Sequence, residues 1–162
     1  MSVIAVKVEK DKITVAADSI IIKDDLKRTN FRKVYKFDDI IVAGAGSAQE
    51  LALFFEYAKT NKPSGANVSA IQNYMAGFLS MRETCLDEHK IDNDYIIVYK
   101  GHAYEVEGFL VQEITEYTAI GEGEAYALSA LYLGHTAIEA VEAACHFSCF
   151  VSEPIMVEEL LI

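Results

Sequence analysis

The sequence predicts an α+β protein in which two antiparallel sheets lie between two layers of helices. Three observations predict it. The hydrophobic period passes, in chain order, through a β-rich block, two helices, a second β-rich block, two more helices and a closing strand. The helices come as pairs that separate hairpins, so the alternating βαβ units of a doubly wound parallel sheet are missing. A length of 162 residues with a 52% hydrophobic share suits a single domain, residues 1–162. A chain of that size buries roughly 68–70% of its unfolded surface and needs no disulfide staples.

The first block opens with Val3 to Val8 and Ile13 to Ala17, β-branched runs on either side of the polar stretch Glu9 to Lys12, which reads as a hairpin. Arg32 to Phe37 alternates charge and apolar bulk, as a half-buried strand does. After the turn at Asp38-Asp39, Ile40 to Ala43 is a continuous apolar run, and Gly44-Ala-Gly46 is expected to break it. From Ser47 the period changes. Ser47-Ala-Gln-Glu50 has capping-box spacing ahead of Leu51, Phe54, Phe55 and Ala58, and Lys62 to Gly65 ends that helix. Val68, Ile71, Tyr74, Met75, Phe78, Leu79 and Met81 recur every three or four residues in a second helix, which fades into the charged stretch Asp87 to Lys90. Strands return at Tyr95 to Tyr99, Ala103 to Val106 and Tyr117 to Ile120. Helices return at Ala125 to Leu133, ended by Gly134, and after Thr136 through Cys145. Ile155 to Leu160 closes as a strand.

Composition excludes several functions. With 14 Lys+Arg against 25 Asp+Glu, the formal charge of −11 opposes nucleic-acid binding, which needs clustered cations to neutralise phosphate. The high apolar share and two Pro oppose disorder. Three Cys, at 85, 145 and 149, make an odd count suited to a reducing cytosol. Lys7, Glu9, Lys10 and Asp11 interrupt any secretory signal, and no apolar run approaches the roughly 18 residues of a membrane helix. A cytoplasmic protein is expected, with no membrane or nucleic-acid partner.

Most motif readings are bland. Gly121-Glu-Gly123 lacks the third glycine and the lysine of phosphate-binding loops, and would set an acid where an anion belongs. Cys145, His146 and Cys149 lack a fourth ligand nearby, so the cysteines read as small buried apolar residues; no metal or other cofactor is expected. His89, His102 and His135 read as solvated surface histidines. No Gly-x-Ser-x-Gly elbow is present.

The sharper reading lies at the terminus. Removal of Met1, which a small second residue permits, would expose Ser2. An N-terminal Ser supplies its hydroxyl as nucleophile and its own α-amine as base, and that amine titrates at roughly 7.7–8.0, near working pH. Such a site also needs a nearby cation to lower the amine's pKa, an acid to hold the cation, and a backbone N–H facing the developing oxyanion. A second-position Ser alone carries little weight, since it is common.

The order and spacing of Ser2 to Val6, Ile13 to Asp18, Arg32 to Phe37, Val42 to Ala48 and Ala119 to Leu128 change that weight. Together they resemble the proteasome β-subunit family, and in length the HslV-type peptidases and their short bacterial and phage relatives. The similarity spans nearly the whole chain, thinning between about residues 60 and 93 and again after residue 146. It implies a four-layer αββα sandwich of the N-terminal-nucleophile (Ntn) hydrolases. It places Ser2 on the nucleophile of this threonine-type peptidase family, Asp18 and Lys33 on its catalytic Asp and Lys, and Gly46 on the glycine whose N–H lines the oxyanion site. The implied substrate is a peptide or unfolded protein. The implied partners are further copies of the chain in a ring or stacked rings, and an ATPase unfoldase. A chain of this length is expected to leave no propeptide ahead of Ser2 beyond Met1.

The departures from the family pattern are informative. Ser replaces Thr at the nucleophile. Glu122 stands where the family has Ser in Gly-Ser-Gly. The later Asp-x-x-Ser-Gly-Gly is replaced by Ser148-Cys-Phe-Val-Ser-Glu153, with Val151 at the Ser. Glu122 and Ser148 are therefore candidate supporting residues. Two alternatives stand beside the peptidase reading: a catalytically silent homologue serving as a structural or assembly subunit, and a small-amide hydrolase of the same fold.

Overall fold

The structure is a computed structural model that describes residues 1–23, 26–86 and 90–162. Asp87, Glu88 and His89 lie outside the described residues. The chain opens with strands β1 (Ile4–Val8), β2 (Lys12–Ala17), β3 (Ile21–Lys23), β4 (Leu26–Arg28), β5 (Val34–Phe37) and β6 (Ile40–Ala45). Helices α1 (Ala48–Thr60) and α2 (Val68–Leu86) follow. Next come strands β7 (Asp94–Tyr99), β8 (His102–Glu107), β9 (Leu110–Ile114) and β10 (Tyr117–Ile120), then helices α3 (Glu124–Tyr132) and α4 (Ala137–Phe147), and strand β11 (Met156–Leu161). One sheet runs β10-β1-β2-β11, the other β5-β6-β7-β8-β9, with every neighbour antiparallel; β3 and β4 pair as a separate ribbon.

Alternation along the strands builds the layers. Ile40 and Val42 of β6, with Tyr95 and Ile97 of β7, face α1 and α2 among Phe54, Ile71, Met75 and Phe78. Their neighbours Ile41, Ala43, Ile96 and Val98 face the other sheet, where they meet Ile4, Val6, Ile13 and Val15. Val3, Ala5 and Ala16 then turn outward onto α3 and α4, whose contacts are Ala127, Ala130, Ala137, Ala140 and Ala144. A period of two thus lets each central strand feed two cores at once, giving helices, sheet, sheet, helices. The outer layers differ. Large aromatics fill the α1–α2 side, with Phe54 against Tyr95 at 4.2 Å and Phe78 at 4.9 Å between ring centroids. Alanines let α3 and α4 approach their sheet closely.

Several expectations need correction. β6 does not break at Gly44; it runs to Ala45, still paired with Asp94. Gly44 is required there because a Cβ would lie 2.7 Å from Leu51 and 2.8 Å from Tyr95, so the helix packs directly on the strand. The break falls at Gly46, with φ +133°. Strand β5 begins at Val34 rather than Arg32, and β3, β4 and β9 were not expected. The cysteines are not a buried cluster: Cys85 and Cys149 are exposed and Cys145 is half-buried. His102 and His135 are surface residues beside Glu113 and Glu139. No helix among the described residues is long and apolar enough to cross a membrane.

Candidate active site

The residues gathered at the head of β1 are at most 3% exposed: Ser2, Val3, Asp18 and Lys33. Asp18 follows β2, the strand paired with β1. The Val3 N–H donates to Asp18 Oδ1 at 2.9 Å, and the Asp18 N–H donates to the Val3 carbonyl at 3.1 Å. Lys33 enters from the start of β5 in the other sheet. Its Nζ donates to both Asp18 oxygens, each at 2.9 Å. Asp18 also accepts from the Ile20 N–H at 3.3 Å. Burial lowers the Lys33 pKa from the usual lysine value, and the Asp18 charge opposes that shift without cancelling it.

The Lys33 ammonium also reaches past Asp18 to donate to the Met1 carbonyl at 3.2 Å. The Ser2 hydroxyl donates to the same carbonyl at 2.6 Å. Hydroxyl, ammonium and an acyl oxygen therefore converge on one point. Ser2 is held from behind: its carbonyl accepts the Gly123 N–H at 3.1 Å, and a Cβ on Gly121, whose φ is +92°, would lie 2.5 Å from that carbonyl. The glycines of Gly121-Glu-Gly123 thus let the β10–α3 turn close onto Ser2, a packing role and not a phosphate loop.

Two hollows flank Ser2, and Gly46 lines both. One, of about 380 Å³, is bounded by Ile20, Ile22, Phe31, Arg28 and Lys33. The other, of about 330 Å³, is acidic, with Asp92, Asp94, Glu122 and Glu124. Burial, then Glu107, Glu105 and Glu124, raise the Asp94 pKa. Glu122 is half-exposed and its carboxylate lies 3.5 Å from the Met1 ammonium. Four of the six candidate residues named from the sequence, Ser2, Asp18, Lys33 and Gly46, therefore come together, and Glu122 stands at their edge.

Ser148 does not join them. It ends α4, and its hydroxyl accepts the Phe150 N–H at 3.2 Å. Val151 is buried against α3 and α4 as an ordinary apolar residue. Cys145 was not anticipated here. Burial, then the charges of Asp18 and Glu153, push its thiol up to about 11, so it stays protonated near the Asp18–Lys33 pair.

Behind Gly46 lies a second buried group that the sequence reading missed. Glu50 of α1 and Arg82 of α2 are 1% and 2% exposed, with Arg82 Nε 2.8 Å from Glu50 Oε2. Glu50 also accepts from the Tyr95 hydroxyl at 2.8 Å and from the N–H groups of Asn93 and Asp92 at 3.1 and 3.2 Å. The signal was present: Ile71, Met75, Phe78 and Arg82 share one helical stripe, and a charge in a buried stripe demands a buried partner. Among the described residues no group of three metal-ligating side chains comes together.

Two antiparallel sheets between helix pairs, with a buried Ser at the head of the first strand, make the fold that of the proteasome-like Ntn hydrolases. Solved structures similar to this chain bear that fold. Thiobacillus denitrificans BPH in complex with epoxomicin matches with a TM-score of 0.86 at 21% identity, over 98% of each chain. HslV from Trypanosoma brucei matches at 0.73 and 17%, over 99% of each chain. Anbu (ancestral beta-subunit) from Yersinia bercovieri matches at 0.76 and 14%, over 97% of this chain and 80% of that one. No family model matches the sequence, and no curated protein matches it.

Proposed function

We propose that the chain is a proteasome/HslV-like peptidase subunit that hydrolyses peptide bonds with Ser2 as nucleophile once Met1 is removed. One observation carries this reading: the Ser2 hydroxyl and the Lys33 ammonium both donate to the Met1 carbonyl, at 2.6 and 3.2 Å, with Asp18 holding Lys33. After Met1 leaves, a substrate carbonyl can take the place of that acyl oxygen. The Ser2 Oγ then attacks the carbonyl carbon while the free α-amine accepts the hydroxyl proton. Lys33⁺ holds the amine's pKa down, and the Gly46 N–H receives the oxyanion. Collapse breaks the C–N bond, the departing amine takes the proton, and water hydrolyses the acyl-Ser2 ester. The substrate class is a peptide or unfolded chain. Tyr132, Leu133 and Phe147, each at least two-thirds exposed, are apolar surface that further copies in a cytoplasmic ring would cover; the mass of the assembly in solution tests this, as does co-purification of an ATPase unfoldase.

The test of catalysis is intact-mass spectrometry with a peptide epoxyketone such as epoxomicin. A chain lacking Met1 that gains one inhibitor mass, and loses that reactivity in Ser2→Ala, is the expected result. Retained Met1 with no adduct would sink the mechanism and leave the silent-subunit reading. A specific observation favours that second reading: Ser148 and Val151, where the family has supporting polar groups, are here a helix end and a buried apolar core residue.

A further inference from the structure

We infer that Asn93 is a positioning residue for the oxyanion site, and that the buried Glu50–Arg82 pair exists to hold it there; this rests on the Ser2 reading above. Asn93 is 1% exposed and sits just before β7. Its side-chain amide clasps the backbone of Ser47 from both sides. Oδ1 accepts the Ser47 N–H at 2.5 Å, and Nδ2 donates to the Ser47 carbonyl at 2.9 Å. Fixing the Ser47 N–H fixes the peptide plane after Gly46. The plane before Gly46 is fixed by the ladder, where Ala45 pairs with Asp94. Gly46, with φ +133°, is therefore held between a strand and a side chain, beside the two hollows that it lines together with Ser2.

Gly46 and Asn93 are a matched pair. A Cβ at Gly46 would lie 2.2 Å from Asn93 Oδ1, so the asparagine occupies space that only glycine leaves. The clasp is anchored in turn. Glu50 accepts the Asn93 and Asp92 N–H groups, and Arg82 neutralises Glu50 while its guanidinium reaches Asp92 at 3.3 Å. Two buried charges are a costly way to hold a loop, because their desolvation offsets their attraction. What they provide is direction. A carboxylate that accepts from two successive backbone N–H groups sets the entry to β7 within a narrow range of angles, and with it the reach of Asn93.

The experiment follows epoxyketone labelling of the chain lacking Met1, measuring the maximal rate and the half-saturating concentration separately, for wild type, Asn93→Ala and Asn93→Asp. Thermal melting accompanies each. In Asn93→Ala the maximal rate should fall about 100-fold while the half-saturating concentration moves less than about threefold, the pattern of a displaced oxyanion donor. Asn93→Asp keeps an acceptor for the Ser47 N–H but loses the donor, so its rate should lie between the two. Should Asn93→Ala fail to fold, Asn93→Asp carries the same split. A lowered melting temperature with an unchanged maximal rate would overturn the inference and leave Asn93 a structural residue. If wild type and Ser2→Ala are equally unreactive, it is the Ser2 reading that has failed, and the catalytic role of Asn93 falls with it.

Discussion

Helices α1 and α4 begin with the same device, a hydroxyl followed three residues later by glutamate, and put it to different uses. At α4 the box closes. Thr136 Oγ1 accepts the Glu139 N–H at 3.2 Å, and Glu139 accepts the Thr136 N–H at 2.8 Å, in full solvent. At α1 only half of it forms. The Ser47 hydroxyl accepts the Glu50 N–H at 3.4 Å, but the Glu50 carboxylate turns inward to Arg82, and the Ser47 N–H it leaves is taken by Asn93. A buried cation outcompetes a capping contact because an unpaired charge in the core costs far more than an uncapped N–H. The displaced cap is what brings a side-chain amide against Gly46.

The largest effect is therefore expected at Glu50. Glu50→Gln preserves shape but takes from the Arg82 guanidinium its buried carboxylate partner, 2.8 Å away, while the Asp92 contact at 3.3 Å is partly exposed. Breaking a buried pair on one side costs about 3–5 kcal/mol, or roughly 6–20 °C in Tm for a chain of this size. Glu139→Gln should barely move Tm, since its carboxylate is solvated. Equal shifts in differential scanning calorimetry would break the contrast between the two boxes.

The second buried pair sharpens it. An arginine guanidinium keeps its charge at any accessible pH. Lys33 does not, because burial lowers its pKa from 10.5 and Asp18 only partly restores it. The folded state then binds this proton more weakly than the unfolded chain. The stability lost to burying the charge is lost in full below the folded pKa, and is regained as pH rises through it toward 10.5. The unfolding free energy of wild type relative to Lys33→Met should accordingly rise with pH across that window, measured by urea unfolding at several pH values. Relative to Glu50→Gln it should show no such slope. A falling difference for Lys33→Met would mean that attraction to Asp18 dominates and that Lys33 is a fixed cation.

These contrasts also show what the sequence could disclose. The double-faced strands were legible wherever both faces are apolar, as in Ile40 to Ala43 and Tyr95 to Tyr99, because composition alone marks burial there. β4 was not, since Leu26, Lys27 and Arg28 are all exposed and no alternation records a core. β9 was missed for a related reason: only Val111 and Ile114 of its five residues are buried. Ser2, Asp18, Lys33 and Gly46 were legible through resemblance, being set by short motifs at fixed spacing. Glu50 was read as a cap because local spacing fits one, and its true partner lies 32 positions away on another helix. Asn93 carried no signal, since an asparagine before a strand is ordinary turn chemistry.

The smallest effects separate the two caps most finely. Thr136→Ala removes the acceptor of a closed box and should cost about 1 kcal/mol, near 2–4 °C in Tm, with epoxyketone labelling untouched. Ser47→Ala removes a hydroxyl whose contact is longer, 3.4 Å against 3.2 Å, while both bonds from Asn93 go to the Ser47 backbone and survive the substitution. It should cost less than Thr136→Ala, although it lies beside the site. The opposite order would show that the hydroxyl, and not the Asn93 amide, holds the turn, and the α1 box would then be a cap like the other.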